Sequence, residues 1–104
     1  MAVLETSYSW DFAATASTGA LKAFPTKGYA ERFSFYVETG AGCTATVRWE
    51  TRAGSSAGPY APIASTALST SAVWFVQNNG PLEWIRPYCV AKTTGTLTAR
   101  VIGN

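Results

Sequence analysis

The stretch Trp84-Ile-Arg-Pro-Tyr-Cys-Val-Ala-Lys-Thr-Thr-Gly-Thr-Leu-Thr-Ala-Arg-Val-Ile-Gly-Asn104 reads as two alternating strands joined by a turn at Thr93-Thr-Gly95. Ile85, Cys89 and Ala91 share one side of the first strand, while Arg86, Tyr88 and Lys92 share the other. On the second, Leu97, Ala99 and Val101 oppose Thr96, Thr98 and Arg100. A period of two places one face against a core and the other in water. The stretch therefore predicts a hairpin in a one-sided sheet, with Trp84, Arg86, Tyr88 and Lys92 outermost and little chain left for a tail or a second domain.

The same alternation recurs upstream. In Cys43 to Arg52, Cys43, Ala45, Val47 and Trp49 oppose Thr44, Thr46, Arg48, Glu50 and Arg52, the signature of a half-buried antiparallel strand. Tyr29 to Glu38 turns Phe33, Phe35 and Val37 inward and Arg32, Ser34, Tyr36 and Glu38 outward. Ser7 to Ala13 sets Tyr8, Trp10 and Phe12 against Ser7, Ser9 and Asp11. Tyr60 to Ser65 is a short edge strand, because Pro62 cannot donate to a ladder. Ala72 to Gln77 is apolar on both faces, which a one-sided sheet does not require.

Between these runs lie Thr39-Gly-Ala-Gly42, the Gly/Ser loop Ala53 to Pro59 and the turn Asn78-Asn-Gly-Pro81. Ala14 to Gly28, rich in Ala, Ser, Thr and Gly, predicts an arm with no regular element. The whole predicts an all-β protein: a single antiparallel β-sandwich of jelly-roll or Ig-like topology with about seven strands. Residues 1–28 are the N-terminal strand and irregular arm, and 29–104 the sandwich, in one domain overall.

Composition supports sheet. The chain has 104 residues, of which 47% are hydrophobic and 13% charged. That size suits one domain burying about 65% of its unfolded surface. The net charge of +2 is dispersed, so no basic stripe announces nucleic acid. No apolar run approaches the roughly 20 residues of a membrane span, and Met1-Ala-Val-Leu-Glu5 has no secretory pattern. A chain with no secretory signal is made in a reducing compartment, which would keep Cys43 and Cys89 as buried thiols.

The absence of histidine removes the commonest general base and metal ligand. The acids Glu5, Asp11, Glu31, Glu38, Glu50 and Glu83 show no calcium-loop spacing, and Glu38 and Glu50 read as solvated surface charges. No histidine is present to activate a cysteine, and neither glycine segment is a phosphate loop. The expectation is a non-enzyme without catalytic residues, metal or cofactor.

The aromatics then need a use. Trp49 belongs to the core by parity. Trp84, Arg86 and Tyr88 share a side with charges, and Trp74 and Phe75 sit on the doubly apolar strand. Aromatic and arginine residues are enriched at protein interfaces. Trp74, Phe75, Trp84, Arg86, Tyr88, Tyr8 and Trp10 are accordingly the interface candidates. The same rings could stack on sugars in a carbohydrate- or receptor-binding module, and a soluble accessory protein is a third class.

From Tyr29 to Asn104 the chain resembles small β-sandwich virion proteins of tailed bacteriophages. The resemblance is carried by Ala45-Thr-Val-Arg-Trp-Glu50, a Gly/Ser loop, Trp84-Ile-Arg86 and Gly95-Thr-Leu-Thr-Ala-Arg-Val101. Pro87 departs from the pattern, standing where another β-branched residue is expected. The resemblance implies a virion location and a capsid decoration (cement) protein, or a head-fibre, neck or tail component. It also implies contact with the major capsid protein or another virion protein, and self-association, commonly as a trimer.

Overall fold

In the computed structural model, residues 6–12, 18–21, 24–25, 32–52, 59–79 and 82–103 are described. They form β1 (Thr6–Phe12), β2 (Gly19–Ala20), β3 (Phe24–Pro25), β4 (Arg32–Thr39), β5 (Ala45–Arg52), β6 (Ala61–Leu68), β7 (Val73–Asn79), β8 (Trp84–Lys92) and β9 (Leu97–Gly103). The expected loop at 53–58, the turn residues 80–81 and much of the segment 14–28 lie outside the described residues.

With β2 and β3 counted as one interrupted strand, each strand pairs with the one equally far in order from the other end of the chain. β1 pairs with β9, β2 and β3 with β8, β4 with β7, and β5 with β6, all antiparallel. The molecule is thus one long two-stranded ribbon, closed at its far end by the β5–β6 connection. Winding it places successive segments in alternate sheets, which β4–β9 and β5–β8 pairing then knit together. The first sheet has the order β1-β9-β4-β7, and the second β2-β8-β5-β6 with β3 also on β8. This is jelly-roll topology, which selects between the two sandwiches the sequence allows.

The winding corrects the expected terminal hairpin. β8 and β9 are consecutive alternating strands, yet they belong to opposite sheets. Alternation fixes which face of a strand is buried but not which strand lies beside it. The segment 14–28 also departs from expectation, since Gly19–Ala20 and Phe24–Pro25 pair with β8 and extend the second sheet. Pro87 explains why that edge is broken in two. Its carbonyl accepts from Leu21 N at 3.1 Å, and a residue's N–H and C=O point to the same edge of an antiparallel strand. The missing N–H of Pro87 therefore falls in the gap between β2 and β3, where no ladder bond is required.

Parity places the core as expected. Phe33, Phe35, Val37, Cys43, Ala45, Val47, Trp49, Ile85, Cys89, Leu97, Ala99 and Val101 are buried between the sheets. Trp49 is their keystone: Phe35 of the first sheet lies at 4.8 Å between ring centroids, and Trp10 meets it edge-on at 5.7 Å. The parity of β8 fails only near its end. Thr46 pairs with Ala91 but Val47 with Cys89, so Val90 is an extra, bulged residue. A bulge reverses the faces beyond it. Ala91 is consequently exposed and Lys92, expected outside, is buried, with Nζ donating to Thr93 O at 2.9 Å. No disulfide joins the buried thiols Cys43 and Cys89.

β6 is an edge strand, as Pro62 requires, although it runs on to Leu68. A second bulge lies opposite Trp49 and Glu50, which pair with Ala64 and Pro62. β7 is the edge of the first sheet. Its inward side chains Trp74 and Val76 pack on the core, whereas Val73 and Phe75 are 64% and 51% exposed.

Candidate protein-binding face

The outer face of the second sheet is built by two central strands in register. On β5, Arg48, Glu50 and Arg52 alternate with core residues; on β8, Trp84, Arg86 and Tyr88 do the same. Pairing sets Arg48 opposite Tyr88, Glu50 opposite Arg86 and Arg52 opposite Trp84. Directly opposed side chains on a sheet lie within reach of one another, so these pairs make one surface. Tyr60, just before β6, closes it from the neighbouring edge.

At the centre the Glu50 carboxylate accepts from Arg48 Nε through Oε2 at 2.6 Å and from Arg86 Nε through Oε1 at 2.7 Å. The Glu50 side chain is 4% exposed, against 38% for Arg48 and 27% for Arg86. It is therefore a buried anion beneath two cations and not the solvated surface charge expected from the sequence. Strand position alone does not disclose this, because the covering Arg86 comes from a strand 36 residues away. Glu38, by contrast, is exposed.

The aromatic rings hold the guanidiniums in place. Arg48 Cζ lies 4.6 Å from the Tyr88 ring centroid, and Arg86 Cζ 3.7 Å from that of Tyr60. Arg52 Cζ stands 5.0 Å from both Tyr60 and Trp84. Such contacts contribute about 0.5–1 kcal/mol at exposed sites and more when water is excluded. Thr51 Oγ1 donates to Trp84 O at 2.7 Å and pins the backbone at that end. Arg52 is the exception in its charge balance. It has no carboxylate among the described residues, and its Nε is buried without a hydrogen-bond partner. Three arginines against one glutamate leave the face with a surplus of two positive charges.

Of the residues singled out from the sequence, Trp84, Arg86 and Tyr88 come together here. Phe75 lies on the other sheet, tilted against Tyr36 at 4.9 Å, and Arg100 covers Tyr36 at 5.1 Å. Trp74 and Trp10 turn inward and pack on the core. Tyr8 pairs with Val101 through its backbone, and its side chain is outside the described residues. Sequence reasoning missed Arg48, Glu50, Arg52 and Tyr60 as members of this face. The signal was present in Arg48-x-Glu-x-Arg52, three charges on one side of a strand, but it needed the β5–β8 register.

No family model matches the chain, and no curated protein matches it in sequence. Solved structures resemble it in fold. The SPBc2 prophage-derived protein YomS superposes with a TM-score of 0.63 at 15% identity, covering 99% of this chain and 96% of that one. PirA superposes with a TM-score of 0.56 at 16% identity, covering 89% and 90%. At these identities the likeness is one of backbone architecture.

Proposed function

We propose that the chain is a non-enzymatic structural protein of a phage virion, a capsid decoration protein that binds the major capsid protein and associates with copies of itself. The observation that carries this reading is the arginine and aromatic face of the second sheet. It is pre-ordered by Glu50, enriched in the residue types that dominate protein interfaces, and positioned on central strands. The jelly roll shared with a prophage-derived protein supports a phage setting. The carboxylates whose partners are known have structural roles: Glu50 is held by two arginines, and Asp11 accepts from Thr98 at 2.9 Å. Self-association is assigned to the β7 edge, where Val73 and Phe75 are exposed beside strand backbone that no other described strand pairs on its outer side.

Mass spectrometry of purified particles, co-sedimentation with assembled heads, and light scattering of the isolated protein test this together. The expected result is an oligomer, trimeric by the family resemblance, that is found in particles and sediments with heads. A stable monomer that does neither overturns it. A sugar-binding module is the second reading, and ring geometry counts against it. Tyr60, Trp84 and Tyr88 each already have a guanidinium on one face, which leaves less ring surface for a sugar. Glycan-array binding abolished by Trp84→Ala would reverse that preference.

A further inference from the structure

We infer that the arginine and aromatic face docks an extended acidic segment of a partner protein, whose Asp or Glu carboxylates seat on Arg52 and on the outer edges of Arg48 and Arg86. The inference rests on the proposed function only for who that partner is. Charge is the first argument. The one carboxylate of the face is shared by Arg48 and Arg86, so the three arginines keep a net surplus of positive charge, and Arg52 has no counter-ion among the described residues.

Geometry is the second argument. Arg48 and Arg86 meet Glu50 through Nε, the inner edge of each fork, so the terminal edge that accepts a carboxylate end-on remains for a ligand. Arg52 carries the inference furthest. Its guanidinium is set between Tyr60 and Trp84, with Nε buried and unpartnered. A cation held in that state lacks the anion that would compensate its desolvation, and an arriving carboxylate supplies it. Rings and ion pairs fix the forks beforehand, which lowers the entropy lost on binding.

Spacing is the third argument. Arg48 and Arg52 are four positions apart on one face of β5, about 13 Å at the rise of a strand. Carboxylates at i and i+4 of an extended peptide repeat at that distance, and one at i+2 falls between them, toward Arg86. A nucleic acid would instead call for a longer phosphate track.

Hexaglutamate, titrated into the intact protein while tryptophan fluorescence is followed, is the direct probe. Binding is expected at low salt and should weaken by about tenfold or more between about 0.01 M and 1 M salt, as screening shortens from about 30 Å to 3 Å. Arg52→Gln should weaken binding about tenfold while keeping a cooperative melt, and Arg100→Gln, on the opposite sheet, should leave binding intact. Arg86→Gln is avoided because it uncovers buried Glu50. Should Arg52→Gln fail to fold, Arg52→Lys keeps the charge but removes the planar fork, and the same weakening is expected.

Absence of hexaglutamate binding, binding indifferent to Arg52, or tighter binding of a sulfated heparin hexasaccharide overturns the inference. A protein that binds hexaglutamate through Arg52 but is absent from particles retains this inference and loses the virion assignment. A particle-bound protein that ignores hexaglutamate does the reverse.

Discussion

At the scale of single residues, Glu50 and Trp49 are neighbours in sequence with opposite surroundings. Glu50 accepts two charge-assisted hydrogen bonds under partly exposed arginines. Glu50→Ala should lower stability by about 1.5–3 kcal/mol in urea denaturation, the range for hydrogen bonds to charged groups. Glu38→Ala, at an exposed position, should stay within about 0.5 kcal/mol. Equal effects would show that the Arg48–Glu50–Arg86 arrangement contributes nothing. Trp49, fully buried between Trp10 and Phe35, should cost about 3–5 kcal/mol on replacement by alanine, read from the same curves. Cys89 adds a pH dependence. Burial pushes its thiol above the ordinary value of 9.0; Lys92 opposes that shift, Cys43 adds to it, and the Ala91 backbone contact opposes it. The unfolded chain gives up this proton first, so above pH 9.0 the folded state holds more protons and stability falls toward the raised value. Below pH 9.0 the contribution is constant. Cys89→Ala should flatten part of the alkaline decline in urea midpoints, and an identical decline in both proteins would contradict the assignment.

At the scale of elements, alternation made most strands legible and left their neighbours hidden. Ile85, Cys89, Leu97, Ala99 and Val101 are all buried where period two puts them. That β8 and β9 lie in opposite sheets was not legible, because pairing is decided by backbone groups whose partners lie far along the chain. The bulge at Val90 was hidden for the same reason, since an extra residue exists only relative to the partner strand. The connection between these strands carries a testable requirement. Gly95 has φ 105°, and a Cβ there would stand 2.9 Å from Cys43 Cβ and 3.1 Å from Ala41 O. Gly42 has φ 77° but nothing within 4 Å of such an atom. Gly42→Ala should therefore cost only the left-handed backbone, about 1–2 kcal/mol. Gly95→Ala adds crowding against backbone and should cost about 2–3 kcal/mol or more. Thermal melts that rank the two in the opposite order would refute the idea that the crossing from sheet to sheet is packed against Cys43.

At the scale of the whole molecule, the ribbon topology makes the two ends of the chain interdependent. Read from sequence, residues 1–28 are a strand and an arm beside a sandwich of residues 29–104. In the fold, β1 pairs with β9 along Thr6–Phe12, β2 and β3 pair with β8, and Phe12 joins the core at 7% exposure. Trp10 lies edge-on to Trp49. A fragment of residues 29–104 would thus lose the partners of β9 and β8 on one side and open the cover of Trp49. Removing a buried phenylalanine alone costs about 3–5 kcal/mol, and a domain of this kind has about 5–15 kcal/mol in total. The loss of Phe12, Trp10 and two edge pairings together should exceed what the fragment can sustain. The expected outcome is a fragment lacking a cooperative melt by circular dichroism and showing collapsed amide dispersion by NMR, beside an intact chain that shows both. If the fragment instead melts within a few degrees of the full chain, the N-terminal segment is an appendage, and the ribbon closes without it.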